Sequence, residues 1–392
     1  DSSDWQVWMA LGKLHFSSGE LEDALAAYNR AVALVPERWE PYNGLGVVLN
    51  EQLDLPAAVV AYRKAISLDG GDCPEVQWNL SLTLLALGEV VEGWEAYEMR
   101  WKRPGFPSPV RKFSKPLWEG SSGNLLLHSE QGLGDTLQFV RFAKLAKERC
   151  GGCVYLEVEV PLLRILDGVE GIDGVFAKGN PGESLPDFDC HLPLMSLPRV
   201  LGSTLNVPSS IPYLSASPED CQAWRDRLAT EDSACPLVGV VWEGNPENQK
   251  GRKRNVPWAV FEPFLDQLHE SCTFFCLQPE KAGGDIPLGT GAFVRTFNKP
   301  PIDLAETAAL IENLNLVVTV DTSVAHLSAA MGKKTWLLLC AAPDWRWLNG
   351  GNPDMWYPGI RIYRQEKLGE WSLPLEALMR DLLKELAGLQ AV

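Results

Sequence analysis

The chain has 392 residues, which at about 150 residues per domain is enough for two or three folded units. Apolar residues make up 46% and charged residues 22%, a balance that excludes a disordered acidic tail or a collagen-like rod. The formal net charge of −16 sets a repelling field against nucleic acid, so no nucleic-acid partner is expected.

No basic-then-apolar leader opens the sequence, and a cytoplasmic protein is expected. Residues 5–103 carry a period. Leu11, Gly12, Ala24, Tyr28 and Ala31 recur 34 residues later as Leu45, Gly46, Ala58, Tyr62 and Ala65, and Leu80, Gly93 and Tyr97 continue at a spacing of 35. Trp8, Gly19 and Pro36 complete a helix–turn–helix unit, with small residues for close helix approach and aromatics to fill the groove. The pattern resembles the tetratricopeptide repeat (TPR), with two good copies and a degraded third. Such helix pairs stack into a curved solenoid whose concave face takes a peptide or protein. Plain bracing of the next domain is the alternative.

A polar, proline-bearing stretch from Lys102 to Pro116 ends the repeats. Beyond it, 124–128 predicts a strand, 129–135 a glycine turn, 136–149 a helix, 153–158 a strand and 161–166 a helix. Cys150-Gly-Gly-Cys153 lacks the second pair that a zinc site requires, and the nine scattered cysteines predict reduced, mostly buried thiols. Asp187-Phe-Asp189 sits between prolines and is expected at the surface. A Pro- and Ser-rich linker covers 206–218. The alternation then restarts, with strands at 237–242, 273–277, 316–320 and 335–339 and helices at 258–270, 303–313, 322–331 and 373–389. The apolar run 335–342 is far shorter than the ~18–20 residues that cross a bilayer, so no membrane span is expected. The expected fold is α + α/β: helical repeats at 1–103, then two parallel-sheet halves at 104–215 and 216–392. Two such halves create a cleft at the carboxyl ends of their strands.

Four segments can carry chemistry. Gln131-Gly132-Leu-Gly134-Asp135 joins a strand to a helix, where glycines admit a ligand to the backbone and free N–H groups favour an anion. It is neither a dinucleotide fingerprint nor a Walker A loop. Asp135 is placed to cap the helix, and capping alone accounts for an aspartate there. Asp321-Thr322-Ser323-Val-Ala-His326 follows an apolar strand directly. Asp321 is expected to cap that helix, Thr322 and Ser323 add hydroxyls, and His326 lies one turn on; together they suit a diphosphate, although a helical histidine also occurs as plain structure. Trp242-Glu-Gly244-Asn-Pro246 precedes the cations Arg252, Lys253 and Arg254, which suit a polyphosphate or form a solvated loop. In Asp344-Trp345-Arg346-Trp347, tryptophans around an arginine stack a base or sugar, or else pack an interface. Gln278, at the end of the 273–277 strand, joins the candidate donor contacts. No motif demands a metal or resident cofactor.

Glu130-Gln-Gly-Leu-Gly-Asp135, Asp321-Thr-Ser-Val-Ala-His-Leu327, Asp344-Trp-Arg-Trp347, Trp356-Tyr-Pro358 and Arg364-Gln365 together resemble bacterial TPR proteins fused to a glycosyltransferase domain similar to family 9, the ADP-heptose:lipopolysaccharide heptosyltransferases. The resemblance implies a GT-B fold, with an acceptor half at 104–215, a nucleotide-sugar half at 216–392 and a final helix packing back on the first half. It implies Asp135 as catalytic base and Asp321, Thr322, Ser323 and His326 as diphosphate contacts. Sugar transfer from a nucleotide-sugar donor to a protein or glycan acceptor would then invert the anomeric centre without a metal. The basic run after Trp242 and the 352–355 segment depart from the family pattern. A scaffold with a retired transferase domain and a sugar-nucleotide epimerase are the rival readings.

Overall fold

A computed structural model describes residues 4–179, 185–202, 211–229, 235–245, 249–278, 294–297, 299–348 and 355–390. The chain forms two compact units, one of residues 1–112 with 202–206 and 342–353, the other of residues 113–201, 207–341 and 354–392.

The first unit contains three helix pairs: α1 (Trp5–Ser18) with α2 (Leu21–Leu34), α3 (Trp39–Glu51) with α4 (Leu55–Asp69), and α5 (Pro74–Leu87) with α6 (Val90–Tyr97). The repeated glycines have a steric purpose. Gly12 and Gly44 both face the Tyr28 ring and Gly46 faces that of Tyr62, and a Cβ on Gly44 or Gly46 would lie 2.4 Å from a ring carbon. Each tyrosine lies flat on the backbone of a neighbouring helix, in clusters with Ala24, Leu45 and Val48 or with Ala58, Ala65 and Leu80. Gly19 and Gly88 end α1 and α5 in the left-handed conformation that lets a last-turn carbonyl be satisfied. Asp54 caps α4 by accepting from the Ala57 N–H at 3.2 Å. The segment 342–353 supplies Trp345, which is buried edge-on against Trp94 with ring centroids 5.5 Å apart.

The second unit runs β1 (Gly123–His128), α7 (Leu133–Phe139), α8 (Ala143–Cys150), β2 (Gly151–Val158), α9 (Leu163–Leu166), β3 (Gly174–Ala177), β4 (Cys190–Pro193), α10 (Leu197–Leu201), α11 (Pro218–Ala229), β5 (Leu237–Val241), α12 (Trp258–Asp266), β6 (Thr273–Cys276), β7 (Val294–Arg295), α13 (Leu304–Glu312), β8 (Leu316–Val320), α14 (Ser323–Ala330), β9 (Thr335–Leu339), β10 (Arg361–Arg364) and α15 (Ser372–Gln390). Two wholly parallel sheets result, ordered β3-β2-β1-β4 and β10-β9-β8-β5-β6-β7. β8 and β9 are buried at every residue, as strands covered on both faces must be, which is why each is apolar but for one threonine. The order matters for function. In the first sheet the chain reverses direction of growth between β1 and β4, and in the second between β5 and β8. Crevices at such switch points, beyond the strand carboxyl ends, are where ligands bind in open α/β sheets.

The helix expected over 136–149 starts earlier, at Leu133, and breaks into a 3-10 turn at Val140–Phe142 before α8. The stretch read as a linker up to Pro218 gives way to α11 at that proline, a residue suited to a helix's first position. Asp187 is exposed as expected, while Asp189 accepts the Asn124 N–H at 2.8 Å beside the start of β1. All nine cysteines are free thiols.

Candidate functional site

The loop after β1 is held by its neighbours in the sheet. The Ser129 N–H donates to the Glu157 carbonyl at 2.9 Å. Lys178 donates to the Ser129 carbonyl at 3.2 Å and to Glu159 Oε1 at 2.9 Å. Burial pushes the Glu159 carboxyl up, but the hydrogen bond and charge of Lys178, with a backbone hydrogen bond, outweigh it and leave the group below its ordinary range. Gln131 has a φ of +60°, a left-handed conformation that costs a non-glycine residue energy and concentrates at functional turns. Its Nε2 approaches Met195 Sδ at 3.2 Å, so the strained residue is braced from the turn that follows β4.

Asp135 is not the helix cap. Gly132 occupies that position, and Asp135, three residues on, accepts the Gly132 N–H at 2.7 Å on Oδ2. The carboxylate thereby closes the turn from inside the helix, the second half of a capping box. Gly134 turns toward the other sheet: a Cβ there would lie 2.9 Å from His326 Cδ2 and 3.4 Å from Ser323 Cα. The starts of α7 and α14 therefore abut.

Asp321 likewise does not cap its helix. Thr322 is the cap residue, extended at φ −139°, and its side chain makes no capping bond. The Asp321 carboxylate is instead drawn sideways, with Oδ2 3.4 Å from Arg254 Nη1 and Oδ1 3.9 Å from His326 Nε2. Within α14 the first backbone bonds start at the Ala325 and His326 N–H groups, so those of Ser323 and Val324 have no intrahelical acceptor. A helix start of this kind carries roughly half a positive charge.

The third segment completes the cradle. The Trp242 N–H donates to Gln278 Oε1 at 2.9 Å and its carbonyl accepts from Val256, so Gln278 serves to fix the end of β5. The Gly244 N–H donates to Asn255 Oδ1 at 3.0 Å. A Cβ on Gly244 would meet Arg254 Nε at 3.5 Å and Thr322 Cγ2 at 3.7 Å, so the glycine turn, the arginine and the start of α14 converge. Arg254 Nε is buried and has no hydrogen-bond partner among the described residues. Lys253 is exposed beside it, and the Arg252 side chain lies outside the described residues.

Gln131, Gly132, Gly134, Asp135, Trp242, Gly244, Arg254, Gln278, Asp321, Thr322, Ser323 and His326 thus belong to the second unit, at the switch points of its two sheets. Trp345 and Arg346 belong to the first unit. Arg346 is buried, pairs with Asp344 at 2.7 Å and stacks on Trp345 at 4.6 Å, an interior packing arrangement. Asn255 and Arg141 fall outside every segment the sequence singled out for chemistry, and Tyr357, within the Trp356-Tyr-Pro358 segment, had no site role assigned to it. Tyr357 Oη lies 2.9 Å from His326 Nδ1, a contact across 31 residues that no spacing rule finds. Among the described residues, His15, Glu20 and Asp23 form a group that could share an ion, but it is a surface group of α1 and α2 in the first unit. Chemically, the cradle offers an arginine donor, an open helix start and close backbone approach to an anion, with a carboxylate on the adjoining helix.

Residues 12–52 match the TPR repeat family, and residues 298–339 match glycosyltransferase family 9 (heptosyltransferase), a segment containing the whole of β8, α14 and β9. One segment of the chain is thus similar to tetratricopeptide repeats and another to family 9 glycosyltransferases. The chain is 25% identical to Protein FlbA of Caulobacter vibrioides over 405 residues, a match covering 97% of the chain and 67% of FlbA. Solved structures similar to it include a family 9 glycosyl transferase from Veillonella parvula (11% identity, TM-score 0.49, 69% of this chain and 99% of that one) and E. coli ADP-heptose lps heptosyltransferase II (11% identity, TM-score 0.48, 68% and 99%).

Proposed function

We propose that this protein is a glycosyltransferase that moves a sugar from a nucleotide-sugar donor to an acceptor hydroxyl on a protein or glycan, with its repeats recruiting the acceptor or a partner protein. One observation carries the reading: the uncapped start of α14, the buried and unsatisfied Arg254 Nε, and the Gly244 turn meet at one point, beyond the carboxyl ends of β5 and β8. A donor diphosphate seated there would receive the Ser323 and Val324 N–H groups and the arginine. As the nucleoside diphosphate departs, the negative charge it gains is met by these fixed dipoles and by Lys253 on the same basic run, the task a metal ion performs elsewhere. Asp135, on the helix that abuts α14, takes the proton from the acceptor hydroxyl. Attack from the Asp135 side on an anomeric carbon whose leaving group lies on the α14 side is in line and inverts the centre. The half at 104–215 then serves the acceptor, and the half at 216–392 serves the donor. The sugar is a hexose or a heptose.

The test is a thermal-shift screen against UDP, GDP, ADP, TDP and CMP with and without magnesium. A ligand at 100 times its dissociation constant adds about 2.7 kcal/mol to stability, a readily visible rise in the unfolding midpoint. A hit that needs no magnesium is expected and names the donor class to assay for transfer. No shift at millimolar nucleotide overturns the reading.

A further inference from the structure

We infer that Tyr357 and Arg141 are positioning residues that lock His326 in one tautomer against Asp321, an inference that rests on the diphosphate reading of the α14 start only for its functional consequence. His326 is 5% exposed and enclosed on three sides. Gly134 abuts its Cδ2 edge, Asp321 Oδ1 lies 3.9 Å from Nε2, and Tyr357 Oη lies 2.9 Å from Nδ1. The carboxylate favours a proton on Nε2. Nδ1 is then the acceptor, and the tyrosine hydroxyl is the donor that keeps it so.

Tyr357 is in turn held from the helix segment that carries Asp135. Arg141, in the 3-10 turn directly after α7, is buried. Its Nη1 donates to the Trp356 carbonyl at 2.6 Å and its Nη2 to the Tyr213 hydroxyl at 2.8 Å. Its guanidinium stacks at 4.7 Å on the Tyr357 ring and at 4.5 Å on that of Tyr213. The bond to the Trp356 carbonyl and the stack on the Tyr357 ring hold that segment, while the two Tyr213 contacts hold the guanidinium itself, a combination a lysine cannot make. The path runs Arg141, Tyr357, His326, Asp321, Arg254. It ties the element bearing the proposed base to the residue that aligns the cradle carboxylate.

The experiment is nitrogen NMR of the imidazoles in the intact chain, which has only five histidines, with His326 assigned by loss of its signals in His326→Gln. At about pH 8, above the ordinary imidazole range, wild type is expected to show Nε2 protonated and Nδ1 bare. Tyr357→Phe should give a mixture of the two tautomers and an about tenfold weaker affinity for inorganic pyrophosphate by calorimetry, the loss of one hydrogen bond. Arg141→Lys, which keeps the charge and loses the fork, should lower the Nε2-protonated fraction in the same direction. A proton on Nδ1 in wild type, or an unchanged single tautomer in Tyr357→Phe with a native circular dichroism spectrum, overturns the inference. Failure of wild type to bind pyrophosphate would count against the diphosphate reading and leave the tautomer result to decide the positioning roles.

Discussion

Gly134 lies so close to His326 that a methyl group built on its Cα would sit 2.9 Å from the imidazole Cδ2. The ring cannot swing away, because Tyr357 holds its Nδ1 and the residue is buried. Gly134→Ala is therefore expected to overpack the contact between α7 and α14 and cost about 1–3 kcal/mol. Urea unfolding of the pair checks this. Gly132→Ala is the contrast: its backbone is extended at φ −99°, and the added methyl would meet only Asp135 Oδ2, at 3.2 Å. That variant should lose less than about 1 kcal/mol.

Arg254 pairs with Asp321 through Nη1, while its buried Nε has no hydrogen-bond partner among the described residues. Arg254→Gln should weaken binding of whichever nucleoside diphosphate shifts the wild type by roughly 10- to 100-fold, the range for a charge-assisted hydrogen bond. Calorimetric titration reads it. Arg254→Lys should not restore affinity, since one ammonium cannot both face Asp321 and reach the ligand.

The parallel strands at 316–320 and 335–339 were legible because each is apolar but for one threonine, and burial on both faces explains why. β3, with every residue only half-buried, and the four-residue β4 have no such signature, and both went unread. The glycine loops and the Asp321–His326 segment announced themselves as strand-to-helix turns. Their capping did not, because whether an aspartate stands at the cap or a residue away depends on which partner draws the carboxylate, and Arg254 is 67 residues from Asp321. Arg141 reaches the Trp356 carbonyl across 215 residues, a contact created only by the folding of two sheets.

The repeats give a separate prediction. A Cβ on Gly46 would lie 2.4 Å from Tyr62 Cε1, and the ring is buried in a packed cluster with no space to retreat. Gly46→Ala should destabilise the helical unit by about 1–3 kcal/mol despite alanine's better helix propensity. Gly46→Ala combined with Tyr62→Leu should recover part of the loss, because the ring is what the methyl strikes. Thermal unfolding followed by circular dichroism distinguishes the two.

Stability should depend on Glu159 in acid. Its carboxyl lies below the ordinary value of 4.5 in the folded chain, because the hydrogen bond and charge of Lys178, with a backbone hydrogen bond, outweigh the opposing effect of burial. A depressed carboxyl contributes stability that is fully present above 4.5 and is lost as pH falls through the lower folded value. The difference in unfolding midpoint between wild type and Glu159→Gln should hold steady near neutrality and shrink as the solution is taken below 4.5. A difference independent of pH across that window would remove the ion pair with Lys178 as its source.

Asp135 is the proposed base, and its replacement tests whether the cleft performs chemistry. Its Oδ2 accepts the Gly132 N–H at 2.7 Å, a bond that an amide oxygen can also accept, so Asp135→Asn should leave the start of α7 formed and the protein as stable as wild type. The α14 cradle uses none of its atoms, so nucleotide affinity should be unchanged as well. What the amide cannot do is take a proton from the acceptor. Removing a positioned general base costs about 10²- to 10⁴-fold in rate, and transfer measured at saturating donor should fall by that factor, with kcat rather than KM carrying the loss. Full turnover in Asp135→Asn would show that the aspartate is present only to close the turn.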